Sequence, residues 1–189
     1  MKNLLVVFSH GKESGPLGSK TRALMRIAEQ QGADTLSVEY SKNADGTAIN
    51  HDTPGEADRR VTQLLSTVLP SHRQLVLVGS SMGGYVSTVA SGRLKPAGLF
   101  LLAPAFYLPG YVRHEPAPDA TSTLIVHGWG DDVVSPDNSI RFARKHGCAL
   151  HLLDGDHRLN AALPVIGPLF SLFLQRIHLI DNTQSIDAD

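Results

Sequence analysis

The feature that most constrains this chain is a repeated unit: a short apolar run, a turn, then a longer amphipathic stretch. The runs are Leu4 to Phe8, Thr35 to Tyr40, Leu75 to Val78, Gly98 to Leu102, Thr123 to His127 and Ala149 to Leu153. Most are continuously apolar, and a strand that is apolar on both faces must be covered on both, as in a parallel sheet with helices packed on each side. The intervening stretches predict helices near Ser19 to Gln31, Glu56 to Leu69, Met82 to Gly92, Pro136 to His146 and Arg158 to His178. Ser135 before Pro136 reads as an N-cap followed by proline at the first helical position. Gly32 and Gly147 fit the left-handed position that closes a helix. The expected architecture is α/β: six mostly parallel strands, doubly wound, with helices on both faces.

Length fits one domain, expected over residues 1–180, with 181–189 as a flexible tail. The two long connections, Ser41 to Pro54 and Ala103 to Thr121, are too short to form another domain. The chain has 17 Lys plus Arg against 18 Asp plus Glu, a formal net charge of -1. Such a balance gives no basic stripe for a phosphate backbone or an anionic bilayer, so neither nucleic acid nor membrane is the expected partner. A small molecule is. The first apolar run is too short for a secretory core, and the apolar stretch Ala161 to Leu174 is interrupted by Pro164, Gly167 and Pro168 and too short to span a bilayer. With Cys148 as its only cysteine the chain forms no internal disulfide, and a cytoplasmic location is expected.

The third run leads into Gly79-Ser80-Ser81-Met82-Gly83-Gly84, a G-x-S-x-G pattern immediately before a helix. A serine held on a sharp strand-to-helix turn leaves no room for side chains two residues to either side, and Gly79 and Gly83 meet that demand. The helix start offers the Met82 N–H to an oxyanion. A helix start of this kind could also bind phosphate or simply cap, so its weight depends on whether partner residues occur farther along the chain. An acid and a histidine do occur there, in later post-strand loops and in that order. The fifth run leads into Gly128-Trp129-Gly130-Asp131-Asp132, and the last into Asp154-Gly155-Asp156-His157.

A parallel sheet gathers its site at the carboxyl ends of its strands, so Ser81, Asp131 and His157 are expected to meet at one edge as nucleophile, orienting acid and general base. Asp132 competes with Asp131 for the acid role, and His10 and His127 end strands on the same edge. The loop after the first strand supplies the other oxyanion donor, the Lys12 N–H, with Gly11 in reserve. Phe106, Tyr107, Leu108, Tyr111 and Trp129 are candidates for substrate contact. Neither metal nor organic cofactor is expected.

On His10-Gly11, the glycine-flanked Ser81, His127-Gly128 with Asp131-x-Val133-Val134, and Gly155-Asp156-His157, the chain resembles the α/β-hydrolase superfamily over nearly its whole length. In that family an oxyanion amide often follows a His-Gly pair, and an acid four residues after the second such pair often serves the triad. The likeness thus supports Lys12 and Asp131. It implies strand order 2-1-3-4-5-6 and, with no cap domain, a likeness to small bacterial carboxylesterases and thioesterases. The expected function is a serine hydrolase that cleaves a small ester or thioester through an acyl-enzyme. The alternatives are an acyltransferase using the same serine and a noncatalytic binding or scaffold protein.

Overall fold

The computed structural model describes residues 4–42 and 46–186. It contains β1 (Leu4–Ser9), α1 (Ser19–Gln30), β2 (Asp34–Ser37), α2 (Glu56–Ser66), β3 (Gln74–Ser80), α3 (Met82–Leu94), β4 (Gly98–Leu102), β5 (Ser122–Gly128), α4 (Pro136–His146), β6 (Ala149–Leu153) and α5 (Leu163–Ile186). The six strands form one sheet in the order β2-β1-β3-β4-β5-β6, and every pairing is parallel.

Each side of the sheet has its own core, and the alternation of side chains along β1 shows the division. Leu4, Val6 and Phe8 join the α1 and α5 side with Leu24, Ala28, Ile166, Phe170 and Phe173. Leu5 and Val7 join the α2, α3 and α4 side with Leu64, Tyr85, Val86 and Phe142. Burial on both faces is why the sequence reads as continuous apolar runs.

The capping signals hold. Ser135 Oγ accepts from Asp137 N at 3.3 Å, and Gly32 and Gly147 take φ values of 83° and 66°. Three elements differ from expectation by three residues or more, the first being α2, which ends at Ser66 rather than Leu69 because Thr67 turns extended. β2 ends at Ser37, although Val38 N still donates to Phe8 O, so the chain leaves this edge before Tyr40. The last helix begins at Leu163, five residues after Arg158, because Asp156 and Asn160 close turns and Leu159 sits at φ 56°. It then continues to Ile186, beyond the boundary drawn at residue 180, while residues 187–189 lie outside the described residues. Among the described residues no helix is long and apolar enough to cross a membrane.

Candidate active site

Ser81 joins β3 to α3 at φ 53° and ψ -119°, a conformation that costs an L-residue of order 1–3 kcal/mol and persists only where neighbours enforce it. They do so here: Ser81 N donates to Leu102 O at 2.9 Å, and Ser81 O accepts from Gly84 N at 2.9 Å and Ala105 N at 3.0 Å. The glycines permit the turn. A Cβ at Gly79 would lie 2.3 Å from Gly83 O, and one at Gly83 would lie 1.9 Å from Ser9 O.

From this turn a chain of hydrogen bonds crosses the sheet edge. His157 Nε2 lies 2.9 Å from Ser81 Oγ, and His157 Nδ1 lies 2.7 Å from Asp131 Oδ2. The carboxylate can only accept, so Nδ1 carries the proton and the Nε2 lone pair faces the serine hydroxyl. Burial would raise the Asp131 carboxyl, but bonds from the Val134 and Val133 amides and from His157 outweigh it and hold it below its ordinary value. Its Oδ1 takes those amides at 2.8 and 2.9 Å. Asp132, the competing acid, is exposed and lines the cavity without joining this chain.

The other two histidines on this edge are committed elsewhere. His127 is fully buried, and its Nε2 lies 2.9 Å from Asp131 Oδ2 and 3.0 Å from Val134 O. Both partners accept, so Nε2 is protonated, and Nδ1 accepts from Ser139 Oγ at 2.7 Å. Burial lowers its pKa against the pull of Val134 O and Asp131, which keeps the ring neutral. Asp131 Oδ2 is thus shared by two imidazoles, of which only His157 reaches the serine. The sequence puts His127 at this edge, and its contact with Asp131 is signalled there only by their spacing of four residues. His10 donates from Nδ1 to Gly11 O at 2.8 Å and accepts from Tyr40 N at 3.4 Å, so it too is occupied.

Ser81 and His157 open into a cavity of about 630 Å³ that Gly11, Lys12 and Met82 also line. Met82 is the first residue of α3, so its N–H has no intrahelical partner. Gly11 packs so closely that a Cβ there would lie 3.4 Å from Ser81 Cβ. The Lys12 ammonium turns outward to pair with Asp52. Lys20, which no motif in the sequence marks, lines the cavity from the first turn of α1 and donates to Arg158 O at 2.9 Å. Burial lowers it to about 8, against the attraction of Asp156 and Asp131.

Of the aromatic candidates, Tyr111 lines the cavity, as does Leu108, whereas Phe106, Tyr107 and Trp129 do not. Phe106 is fully buried and stacks on Phe142 with centroids 4.1 Å apart. Tyr107 lies under the Arg141 guanidinium at 4.0 Å. Trp129 is 59% exposed, its backbone N–H fixed by Leu153 O. Tyr107 itself takes φ 58°, in the left-handed region. Among the described residues no group of three or more His, Cys, Asp or Glu could hold a metal ion.

The model of an uncharacterised protein family, UPF0227, matches residues 5–115. No curated protein matches the chain. Among solved structures, a candidate hydrolase of the alpha/beta superfamily from Xanthomonas campestris is 27% identical, with a TM-score of 0.71 over 93% of this chain and 99% of that one. An α/β serine hydrolase without a lid, also from Xanthomonas campestris, is 21% identical, with a TM-score of 0.70 over 93% and 82%. A Pyrococcus furiosus esterase is 17% identical, with a TM-score of 0.72 over 93% and 83%. The fold is that of the α/β hydrolases, with the sheet order expected from the resemblance.

Proposed function

Since the chain belongs to the UPF0227 family and carries the α/β-hydrolase fold, we propose that it is a serine hydrolase acting on a small ester or thioester. The observation that carries this reading is the continuous chain from Ser81 Oγ through His157 to Asp131 at 2.9 and 2.7 Å, opening into a cavity. Ser81 Oγ attacks the acyl carbon as its proton passes to His157 Nε2, while Asp131 holds the imidazolium. The negative charge on the former carbonyl oxygen is received by the Met82 and Lys12 N–H groups. Collapse expels the alcohol or thiol, which takes the proton from His157, and water repeats the sequence on the acyl-enzyme. Leu108, Tyr111 and Val133 give the cavity an apolar wall for the acyl or leaving group.

A fluorophosphonate probe tests this reading directly. The wild type is expected to be labelled and Ser81→Ala to lose all labelling at an unchanged melting temperature. A wild type that stays unlabelled and fails to hydrolyse p-nitrophenyl acetate would overturn the reading.

A further inference from the structure

Behind the oxyanion loop lies a buried ionic cluster that acyl transfer through Ser81 does not use. Arg60 on α2 has no exposed side-chain surface, and Glu56, one turn earlier, is almost as deeply buried. Arg60 Nε donates to Glu56 Oε1 at 2.6 Å, and Arg59 donates to the same carboxylate from Nε and a terminal nitrogen at 2.6 and 2.9 Å. His51 Nδ1 stands 3.0 Å from Glu56 and 3.1 Å from Arg60, whose guanidinium lies over the Tyr40 ring at 5.1 Å. Burying a charge this completely is costly unless its hydrogen bonds are well placed.

The rest of Arg60 shows where those bonds go. One terminal nitrogen donates to two successive backbone carbonyls, His10 O at 3.2 Å and Gly11 O at 3.1 Å. No peptide bond among the described residues is cis. In a trans peptide the C=O and the following N–H point in opposite directions. A guanidinium that holds the His10 and Gly11 carbonyls therefore turns the Gly11 and Lys12 N–H groups away from itself. Gly11 and Lys12 line the cavity, and a Cβ at Gly11 would lie 3.4 Å from Ser81 Cβ, so those amides belong to the segment beside the serine. The same contact polarises each peptide, because a cation on the carbonyl oxygen makes the attached N–H a stronger donor.

We propose that Arg60, held by Glu56, is a positioning residue for the oxyanion site, fixing the two peptides after β1 so that their amides face the tetrahedral intermediate. Arg60 touches no reacting atom and acts through the Gly11–Lys12 peptide. Its contribution falls on the step in which charge develops rather than on ground-state binding. This rests on the serine hydrolase reading for its chemical consequence, but the anchoring of the loop stands apart from it.

The test uses the double variant Glu56→Gln/Arg60→Met, which removes both buried charges together so that neither is stranded, and Arg60→Lys as the conservative exchange. With p-nitrophenyl acetate the double variant is expected to lose about 10- to 100-fold in kcat with KM within threefold of wild type, and Arg60→Lys to recover part of the loss. Affinity for a trifluoromethyl ketone, which forms an oxyanion on Ser81, falls in parallel with kcat/KM. Hydrogen exchange at the amides of residues 10–13 accelerates at least tenfold while the amides of β3 and β4 stay protected. A kcat within twofold of wild type, a loss confined to KM, or unchanged exchange over residues 10–13 would overturn the proposal. If the double variant does not fold, Arg60→Lys decides it by the same three readouts. If the wild type neither labels nor hydrolyses, the functional reading fails and the exchange measurement alone decides whether Arg60 anchors the loop.

Discussion

Two loops flank Ser81 and are held by different means. On one side, the acid loop after β5 is fixed by neutral donors: the Val133 and Val134 amides and the His127 ring converge on Asp131, the one charged group among them. On the other, the loop after β1 is fixed by the His10 ring on Gly11 O and by a buried guanidinium on His10 O and Gly11 O that is itself held by a carboxylate. The neutral arrangement is nearly indifferent to ionic conditions around neutrality. The ionic one puts its full strength behind two carbonyls but depends on Glu56 remaining charged. One serine thus has a partner set by short local hydrogen bonds and another set by an ion pair from a distant helix.

This contrast between the loops can be broken at four points of decreasing effect. Asp131→Asn should lower kcat by about 10³- to 10⁴-fold, since an amide in place of the carboxylate no longer fixes the His157 tautomer, and should lower the melting temperature as well, because its NH2 meets the His127 and His157 N–H donors. Steady-state kinetics with p-nitrophenyl acetate checks this.

On the ionic side the expected effect is on stability. Burial would raise the Glu56 carboxyl, but hydrogen bonds from Arg59, Arg60 and His51 bring it down from 4.5 to about 2. A carboxyl depressed in the folded state contributes stability above its unfolded value that is lost as pH falls through the folded one. The wild type should therefore lose about 3 kcal/mol from this group as pH falls from about 4.5 to about 2. Glu56→Gln should flatten that window and cost about 3–5 kcal/mol at neutral pH, because it strands the Arg60 charge. Urea unfolding at a series of pH values measures both.

His127→Phe removes one bond to a charged acceptor and should cost about 1.5 kcal/mol, roughly tenfold in kcat, with His127→Gln restoring part of it. Equal activity in His127→Phe and wild type would show that the two amides alone suffice to hold Asp131. Asp132→Asn is the smallest change, within twofold of wild type, and a large loss there would transfer the acid role.

Much of this organisation was legible because local chemistry and chain order carry it. Ser81 could be read from the glycines around it, and Asp131 and His157 from their places after successive strands. The aromatic wall was not legible, because the residues from Ala103 to Thr121 follow no period that tells a side chain which way to point. Phe106 packs in the core beside Phe142, and of the four aromatic candidates Tyr111 alone lines the cavity. The Arg60 anchor was hidden for another reason. Glu56 and Arg60 are four apart on a polar helix start, a spacing that ordinarily marks a solvated surface pair worth a few tenths of a kcal/mol. Nothing local distinguishes a pair that turns inward to carbonyls some fifty positions earlier.

The backbone contacts at Gly83 and Gly128 leave two junctions beside the cavity with no latitude. A side chain at Gly83 would drive into Ser9 O and one at Gly128 into Gly155 O, so the serine turn is fixed against the end of β1 and the acid loop against the base loop. On the serine hydrolase reading, a new acyl or leaving group is accommodated instead through cavity side chains such as Lys20 on α1 and Leu108 and Tyr111 after β4.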